Sequence, residues 1–362
     1  MDKKYMQLAI DLAKNGKGKV NPNPLVGAVI VKNGKVIGQG YHKKYGGNHA
    51  EIEAINNSTE SVEGATIYVT LEPCYHYGKT PPCVDKLISS KISRVVIGSL
   101  DPNPLVSGKS IDKLKQVGIE VNVGVLEEEC FRLNEVFMKY IKTKKPYVVL
   151  KSAVSLDGKI ATKTGESKWI TGEISRLKVH ELRNELSAIM VGINTVLQDD
   201  PSLTCNINNG RNPIRIIVDS NLRIPLDSKI LKNSHNYKTI IATTKDADLK
   251  KKKLIEELGA EVLIIKSLNN KVDLNDLMIK LGELKIDGIL LEGGGELNFS
   301  ALKAEIVDKV MIFIAPRIIG GRNSKTSIEG EGINLLSESY KIYNLKTENL
   351  GEDILLTGYI KR

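Results

Sequence analysis

Hydrophobic and polar positions define a helix and a hairpin at the start of the chain. Apolar residues recur at helical spacing over residues 3–15 and stop at Gly16, which predicts a helix. An apolar run over 25–31, the turn pair Asn33-Gly34 and a second run over 35–40 predict a β-hairpin. Short helices and strands alternate after it, which predicts a three-layer α/β domain with a largely parallel sheet.

The chain then passes through a predicted linker. A helical stretch over 127–142 leads to Lys144-Lys145-Pro146, where a proline and a run of charge indicate a domain boundary. We therefore predict one domain over 1–145 and a second over 146–362.

The second half alternates helices and strands again, which predicts an α/β domain with a mixed sheet. Its predicted strands lie near residues 147–150, 188–191, 214–218, 239–242, 262–265, 288–291, 309–315, 340–345 and 354–360. The last two are expected to form an antiparallel pair.

Composition narrows the class of protein. The chain has 362 residues, 41% hydrophobic and 26% charged, which is typical of a globular protein with two domains. The N-terminus lacks an apolar signal-peptide core and no segment approaches a membrane span, so we expect a cytoplasmic protein without a membrane partner. With two of the four cysteines in a metal motif, no disulfide framework is expected.

The formal net charge of +9 permits nucleic acid or phosphorylated small molecules as partners. The densest basic run, residues 250–253, has no interleaved aromatic residue, and only 5% of the chain is aromatic. Base-stacking surfaces are therefore not indicated. We interpret the run as a solvated helix face and expect no nucleic-acid partner.

The strongest chemical signal is His49-Ala50-Glu51, followed by Pro73-Cys74 and Pro82-Cys83. One imidazole and two thiolates suit Zn²⁺, with a fourth position left for water. Glu51 is too close in sequence to His49 for comfortable ligation of the same ion, and is placed to act as general acid/base. This is the arrangement of a zinc nucleobase deaminase, with an unusually long segment between the two cysteines.

Two other interpretations of this motif are weaker. A structural zinc site needs four ligands, but the remaining cysteines, Cys130 and Cys205, are distant in sequence. The second alternative is a chance combination of buried cysteines and a capping histidine.

Polar residues near the metal motif are candidates for substrate contacts. Two prolines hold the backbone around Asn23 rigid, so its amide can face a pyrimidine edge. His42 precedes the metal-bearing helix, and His76 and Lys79 lie between the two cysteines. Lys79 is a candidate for a substrate phosphate. Each of these residues could instead be solvated, and Asn23 could belong to a simple turn.

A glycine-rich segment in the second half, Gly293-Gly294-Gly295, is predicted to join a strand to a helix. Successive glycines let backbone N–H groups approach a pyrophosphate at a helix N-terminus. The segment is not a Rossmann fingerprint, because Phe299 stands in the place of the third glycine. A flexible turn is an equal alternative for the segment taken alone.

The motifs resemble those of the bifunctional riboflavin-biosynthesis proteins, in which a pyrimidine deaminase is joined to a reductase. The resemblance covers nearly the whole chain. It is carried by residues 22–27, 40–42, 49–51, 71–74, 80–83 and 101–104 in the first half and by 151–158, 165–170 and 192–201 in the second. It implies a cytidine-deaminase-like three-layer N-terminal domain, a dihydrofolate-reductase-like C-terminal domain with a mixed sheet, and a homo-oligomer (dimer or tetramer).

The resemblance also implies the chemistry. The first half would remove the 2-amino group of 2,5-diamino-6-ribosylamino-4(3H)-pyrimidinone 5′-phosphate, with Zn²⁺ on His49, Cys74 and Cys83 and with Glu51 moving the protons. The second half would reduce the ribosyl group to ribityl with NADPH, by hydride transfer to C1′ of the sugar.

Reductase contacts follow from the resemblance residue by residue. The implied cofactor contacts are Ala153, Trp169, Thr195, Asp199, Ser220, Gly294, Gly295, Glu296, Leu297, Asn298, Phe299 and Ser300. The implied substrate contacts are Lys151, Ser167, Arg183, Leu203 and Glu292. The planar fork of Arg183 suits bidentate binding of phosphate. The alternatives are an exposed helix position for Arg183 and core packing for Trp169.

One departure from the family pattern concerns the substrate phosphate. Many relatives have an arginine where this chain has Asn206. Arg211 and Arg215 are the candidates to replace it. No general acid for the reduction is evident, and Lys151 is a hypothesis for that role.

Two alternative functions stay open at the level of sequence. One is a nucleic-acid base deaminase with a C-terminal binding module, which would need a basic, aromatic-rich surface. The other is a deaminase whose second half is purely structural and does not bind NADPH.

Overall fold

The computed structural model describes residues 1–75, 82–103 and 107–360. The chain divides into two compact units, Met1–Lys144 and Lys145–Arg362. The division falls within the Lys144-Lys145-Pro146 segment.

The first unit is built on one five-stranded sheet of order β2-β1-β3-β4-β5. Its elements are α1 (Asp2–Ala13), β1 (Gly27–Lys32), β2 (Lys35–Tyr41), α2 (Ala50–Asn56), β3 (Thr66–Leu71), α3 (Cys83–Ser89), β4 (Arg94–Ser99), α4 (Lys109–Gln116), β5 (Glu120–Val123), α5 (Glu127–Leu133) and α6 (Glu135–Thr143). The predicted hairpin and the helix–strand alternation are confirmed. The prediction of a largely parallel sheet is wrong, because β1 pairs antiparallel with both β2 and β3 and only β3, β4 and β5 are parallel.

Alternating side chains of β1 show why the unit has three layers. Ala28 and Ile30 pack into the cluster that contains side chains of α2, α3 and α4. Val29 and Val31 point to the opposite face and join the cluster formed with α1 and Cys130 of α5. Because successive strand residues face opposite sides, a strand with apolar residues at every position buries both of its faces.

Two glycines of β2 allow α2 to lie directly on the sheet. A Cβ atom on Gly40 would stand 2.5 Å from the carbonyl oxygen of Ala50, and one on Gly38 would collide with the backbone of Ala54. Any larger residue would therefore push α2 away from the strand. This close approach fixes the helix that begins immediately after His49.

The sequence pattern predicts one helix over 127–142, but the structure has two helices separated at Asn134. The amide of Asn134 accepts from the Leu25 N–H (2.8 Å) and donates to the Leu25 carbonyl (2.9 Å). This tertiary contact between residues far apart in sequence explains why the apolar period alone did not reveal the break.

The second unit contains a nine-stranded mixed sheet of order β10-β9-β8-β7-β13-β6-β14-β16-β15. Its elements are β6 (Tyr147–Ser155), α7 (Glu173–Glu185), β7 (Ala188–Gly192), α8 (Ile193–Asp199), β8 (Ile214–Val218), α9 (Lys229–Lys232), β9 (Thr239–Thr243), α10 (Leu249–Glu257), β10 (Glu261–Ile264), β11 (Ser267–Leu268), β12 (Lys271–Val272), α11 (Leu274–Glu283), β13 (Gly288–Leu291), α12 (Gly295–Lys303), β14 (Lys309–Ala315), β15 (Ile342–Leu350) and β16 (Asp353–Ile360). In this order, each strand from β10 through β9, β8, β7, β13 and β6 to β14 pairs in parallel with its neighbour, whereas β14, β16 and β15 pair antiparallel. The short strands β11 and β12 form a separate antiparallel pair. The predicted mixed sheet is confirmed.

Strand β7 shows how the sheet of the second unit buries both faces. Ala188 and Met190 pack with side chains of α11 and α12, whereas Ile189 and Val191 pack with those of α8, α9 and α10. Throughout the described ranges, every helix is too short or too polar to cross a lipid bilayer.

We predict that Gly40→Ala loosens α2 specifically. The added methyl overpacks the contact with Ala50 and should lower the free energy of unfolding by about 1–3 kcal/mol. Hydrogen exchange of the full chain, followed by mass spectrometry, should show faster exchange in α2.

Gly118→Ala is the control, since Gly118 has φ +82° and open space around it. This variant should cost stability through backbone strain while leaving α2 protected. Equal protection of α2 in the two variants would contradict the role given to Gly40.

Candidate functional site

Three predicted metal ligands meet in the first unit. His49 precedes α2, Cys74 follows β3, and Cys83 begins α3. The Nδ1 atom of His49 lies 3.2 Å from Sγ of Cys83 and 3.5 Å from Sγ of Cys74. The three ligand atoms all lie within 4.8 Å of one another. Two sulfur atoms and one imidazole nitrogen at this spacing fit the donor set that zinc prefers.

Hydrogen bonds among these donors favour a thiolate. The bond with the Cys83 thiol lowers the pKa of Cys74 to about 4, and His49 acts in the same direction. The backbone N–H of Cys83 also donates to Sγ of Cys74 at 3.1 Å. The same thiol–thiolate bond and burial raise the pKa of Cys83. Because the thiolate is the form that binds a metal ion, the cluster is electrostatically prepared for a cation.

Glu51 lies on the first turn of α2 and is only 3% exposed. Burial raises the pKa of its carboxyl group. Glu51 lines the same cavity as His49 and Cys74 without belonging to the three-ligand cluster. A buried carboxyl group with a raised pKa is suited to take up and release a proton beside the metal ligands.

The cavity has a volume of about 340 Å³, which suits a small molecule. It is lined by Asn23, Pro24, Val26, His42, Tyr45, Gly46, Gly47, His49, Glu51, Leu71, Glu72, Cys74, Asp101, Asn103, Phe137 and Ile141. Asn23 and His42 are therefore at the cavity, as predicted. Phe137 and Ile141 of α6 were missed, because nothing in the local sequence indicates that this late helix reaches the metal motif.

We predict a substrate contact for His42, but its ring is buried and bound to other protein groups. Its side chain is 3% exposed, and burial lowers the pKa of its ring. The Nδ1 atom lies 2.9 Å from the Asn48 carbonyl oxygen, and Nε2 lies 3.3 Å from Nδ2 of Asn23. Both ring nitrogens thus have protein partners.

Glu72 is a further cavity residue that the sequence did not reveal. Its buried carboxylate accepts from the hydroxyl of Ser110 (2.6 Å) and from the N–H groups of Asp101 (3.3 Å) and Gly108 (3.2 Å). It thereby ties the segment after β4 to the end of β3, beside Cys74.

The second unit has a buried cluster of charge. Glu292, directly after β13, is 11% exposed at its side chain. Its carboxylate accepts from Nε and Nη2 of Arg183 at 2.8 and 3.1 Å and from Nζ of Lys151 at 3.2 Å. Although burial alone would raise it, these two cations bring the pKa of Glu292 down to about 2. Three predicted substrate contacts therefore lie together.

The glycine-rich segment follows β13 and opens α12, as predicted. A Cβ atom on Gly294 would meet the Thr195 hydroxyl at 3.6 Å, so these two predicted cofactor contacts are neighbours. Gly294 is the N-cap of α12 and offers no capping side chain. The first N–H groups of a helix have no partner within the helix itself, which suits them to a phosphate of a dinucleotide.

Comparison with known proteins matches a different family in each half of the chain. Residues 1–99 match the cytidine and deoxycytidylate deaminase zinc-binding region, and residues 146–356 match the RibD C-terminal domain. Riboflavin biosynthesis protein RibD of Actinobacillus pleuropneumoniae is 53% identical, over 98% of this chain and 94% of that protein. The corresponding protein of Aquifex aeolicus is 49% identical, over 98% of both chains.

Solved structures agree over the full length. Acinetobacter baumannii RibD superposes with a TM-score of 0.88 at 36% identity, covering 100% of this chain and 99% of that one. A diaminohydroxyphosphoribosylaminopyrimidine deaminase/5-amino-6-(5-phosphoribosylamino)uracil reductase from Thermotoga maritima gives 0.87 at 39% identity, covering 99% of both. The chain belongs to the RibD family. The α/β fold class and the pairing of a zinc-binding deaminase with a reductase are thereby confirmed.

The expected role of Arg183, Arg211 and Arg215 as ligands of the substrate phosphate differs from the contacts that this RibD chain shows. The fork of Arg183 faces Glu292, and its Nη1 donates to the Thr204 carbonyl at 2.9 Å, so it is not a free bidentate phosphate anchor. Arg215 is 1% exposed and donates to Thr239 and to backbone carbonyls. Arg211 donates to the carbonyl groups at the end of α7. The Arg215 guanidinium is thus satisfied within the unit, and Nη2 of Arg211 is bound to backbone carbonyl groups.

Other predicted reductase contacts differ in exposure. Trp169 is 63% exposed and stacks against the Arg176 guanidinium, so it is not a core residue. The side chains of Asn298 and Phe299 are buried within the unit, and that of Leu203 packs in the cluster beside β7. Their side chains therefore face the protein interior. Ala153, Ser167, Asp199, Ser220 and Ser300 are partly buried and Glu296 is exposed. His76 and Lys79 lie outside the described residues.

We predict that Glu292→Gln destabilises the second unit. Removing the carboxylate leaves Arg183 and Lys151 without a counter-charge, which should cost about 3–5 kcal/mol at neutral pH by urea unfolding. Glu283→Gln, at an exposed position of α11, is the control and should change little.

The contribution of Glu292 should depend on pH. Its pKa is lowered in the folded protein from 4.5 to about 2, so its stabilisation is complete above about pH 4.5 and is lost as the pH falls toward 2. The difference between wild type and Glu292→Gln should therefore shrink in acid. A constant difference from pH 7 to pH 3 would contradict this ion-pair account.

Proposed function

We propose that the first unit hydrolytically deaminates 2,5-diamino-6-ribosylamino-4(3H)-pyrimidinone 5′-phosphate. The observation that carries this proposal is the cluster of His49, Cys74 and Cys83 at a cavity of suitable size, which His49, Cys74 and buried Glu51 line. Membership of the RibD family supports the choice of substrate.

The residues of the site have separate roles in this reaction. A zinc ion on the three ligands would supply a Lewis acid that activates water near neutral pH. Glu51 takes the proton of the attacking water and returns protons to the ring nitrogen and to the departing amine, so that ammonia leaves. Asn23 holds the pyrimidine against this face of the cavity.

We propose that the second unit reduces the ribosyl group of the deaminated product to ribityl. NADPH would supply the hydride, which goes to C1′ of the sugar. The backbone of the first turn of α12, next to Thr195, would bind a phosphate of the cofactor. Lys151, held in place by Glu292, faces the substrate and is the proposed proton donor to the ring-opened sugar.

Two further proposals concern the whole protein. We propose a homo-oligomer, a dimer or a tetramer, which is supported by the exposed apolar side chains of edge strand β15, Ile342, Tyr343 and Leu345. We propose that it works in the cytoplasm as an enzyme on a small phosphorylated pyrimidine, without nucleic acid.

A coupled assay tests both activities. Purified protein given the diaminopyrimidine ribosyl phosphate and NADPH should release ammonia and oxidise NADPH. Glu51→Gln should retain zinc but lose both signals, because the second reaction depends on the product of the first. Supplying the deaminated product directly should restore NADPH oxidation in this variant. Appreciable ammonia release by Glu51→Gln would remove Glu51 from its proposed role.

Gly294→Ala tests the cofactor site. The new methyl makes only an ordinary contact with Thr195, so the fold should be kept, but it occupies the approach of a phosphate to α12. The Kd for NADPH measured by calorimetry should rise about tenfold, with unchanged ammonia release and a Tm lowered by about 2–4 °C, because alanine is a poorer N-cap residue than glycine. An unchanged Kd would show that the cofactor phosphate does not bind at this segment.

A further inference from the structure

His42 lies at the cavity, but it has no nitrogen to spare for a substrate. Nδ1 is 2.9 Å from the Asn48 carbonyl oxygen, and Nε2 is 3.3 Å from the amide nitrogen of Asn23. The ring packs edge to face against His49, with centroids 5.5 Å apart. A residue held in this way acts through its neighbours.

The two contacts determine the tautomer of the ring. A carbonyl oxygen only accepts, so the proton of His42 is on Nδ1. The amide nitrogen of Asn23 can only donate, so Nε2, which faces it at 3.3 Å, carries a lone pair and accepts from an N–H of Asn23. The reverse orientation of the Asn23 amide would place its oxygen against that lone pair, which is repulsive in a buried site.

We propose that His42 is a positioning residue that locks the Asn23 amide with its carbonyl oxygen toward the substrate. This proposal rests on the proposed deamination and specifies how its substrate is recognised. With one N–H given to His42, Asn23 keeps its carbonyl oxygen and its second N–H. An acceptor beside a donor is complementary to the lactam edge of a pyrimidinone, where a ring N–H adjoins a C=O.

The tautomer can be measured without catalysis. Long-range ¹H–¹⁵N spectra of the zinc-loaded full chain, labelled at its five histidines, should show a neutral His42 with Nδ1 protonated. The His42 signals are those missing from the spectrum of His42→Gln. A proton on Nε2, or a doubly protonated ring, would overturn the proposal independently of any kinetic measurement.

Two substitutions of His42 separate positioning from packing. Glutamine offers a donor and an acceptor on its terminal amide, so it can donate to Asn48 and accept from Asn23, whereas methionine fills space without a hydrogen-bond donor. For ammonia release from the diaminopyrimidine ribosyl phosphate, His42→Met should raise KM about tenfold, as expected for a lost buried hydrogen bond. His42→Gln should stay within about threefold of wild type. Equal KM values for the two variants would overturn the proposal.

A double-mutant cycle tests whether His42 works through Asn23. If it does, adding His42→Met to Asn23→Ala should raise KM no further than Asn23→Ala alone. Additive effects would mean that His42 contacts the substrate itself. Zinc content and NADPH oxidation with the deaminated product serve as controls in every variant. A wild-type protein that releases no ammonia would refute the proposed function, while the tautomer measurement would still decide the position of the proton.

Discussion

The close contact between α2 and β2 is the constraint on which the metal-ligand cluster depends. His49 and Glu51 flank the first residue of α2, and the helix can reach the sheet only because Gly38 and Gly40 have no side chains. A shift of the helix by the width of a methyl group would move the imidazole relative to both sulfur atoms. Metal ligation and proton transfer tolerate little such displacement, so two glycines without chemical function determine whether the chemistry is possible.

Buried charged groups are stabilised in different ways in the two units. In the first, the donors lie within hydrogen-bond distance of one another, and a shared proton between sulfur atoms stabilises one thiolate. In the second, the carboxylate of Glu292 lies between two cations, Lys151 and Arg183, and Arg183 also donates to a backbone carbonyl group. Each cluster gathers side chains from several elements: the first from the start of α2, the start of α3 and the segment after β3, the second from β6, α7 and the residue after β13.

The sequence predicted those parts of the protein that depend on local pattern. The hairpin, the helix–strand alternation and the three zinc ligands follow from periodicity, turn chemistry and donor type. The break at Asn134 and the cavity wall from Phe137 depend on contacts between distant segments, which no local pattern contains. Arg215 illustrates the same limit: its charge suggested an exposed phosphate ligand, but Thr239 and several carbonyl oxygens satisfy it inside the second unit.

The absence of an arginine at position 206 is explained by the net charge of the cluster of Arg183, Lys151 and Glu292. Arg183 gives its fork to Glu292, yet the cluster of Arg183, Lys151 and Glu292 contains two cations and one anion. One positive charge therefore remains uncompensated in a partly buried setting, where Coulomb attraction is stronger than in water. A phosphorylated substrate would be attracted by that surplus without a dedicated guanidinium fork. On this view Glu292 keeps the two cations together, and this chain can lack an arginine at position 206 while the cluster keeps its positive charge.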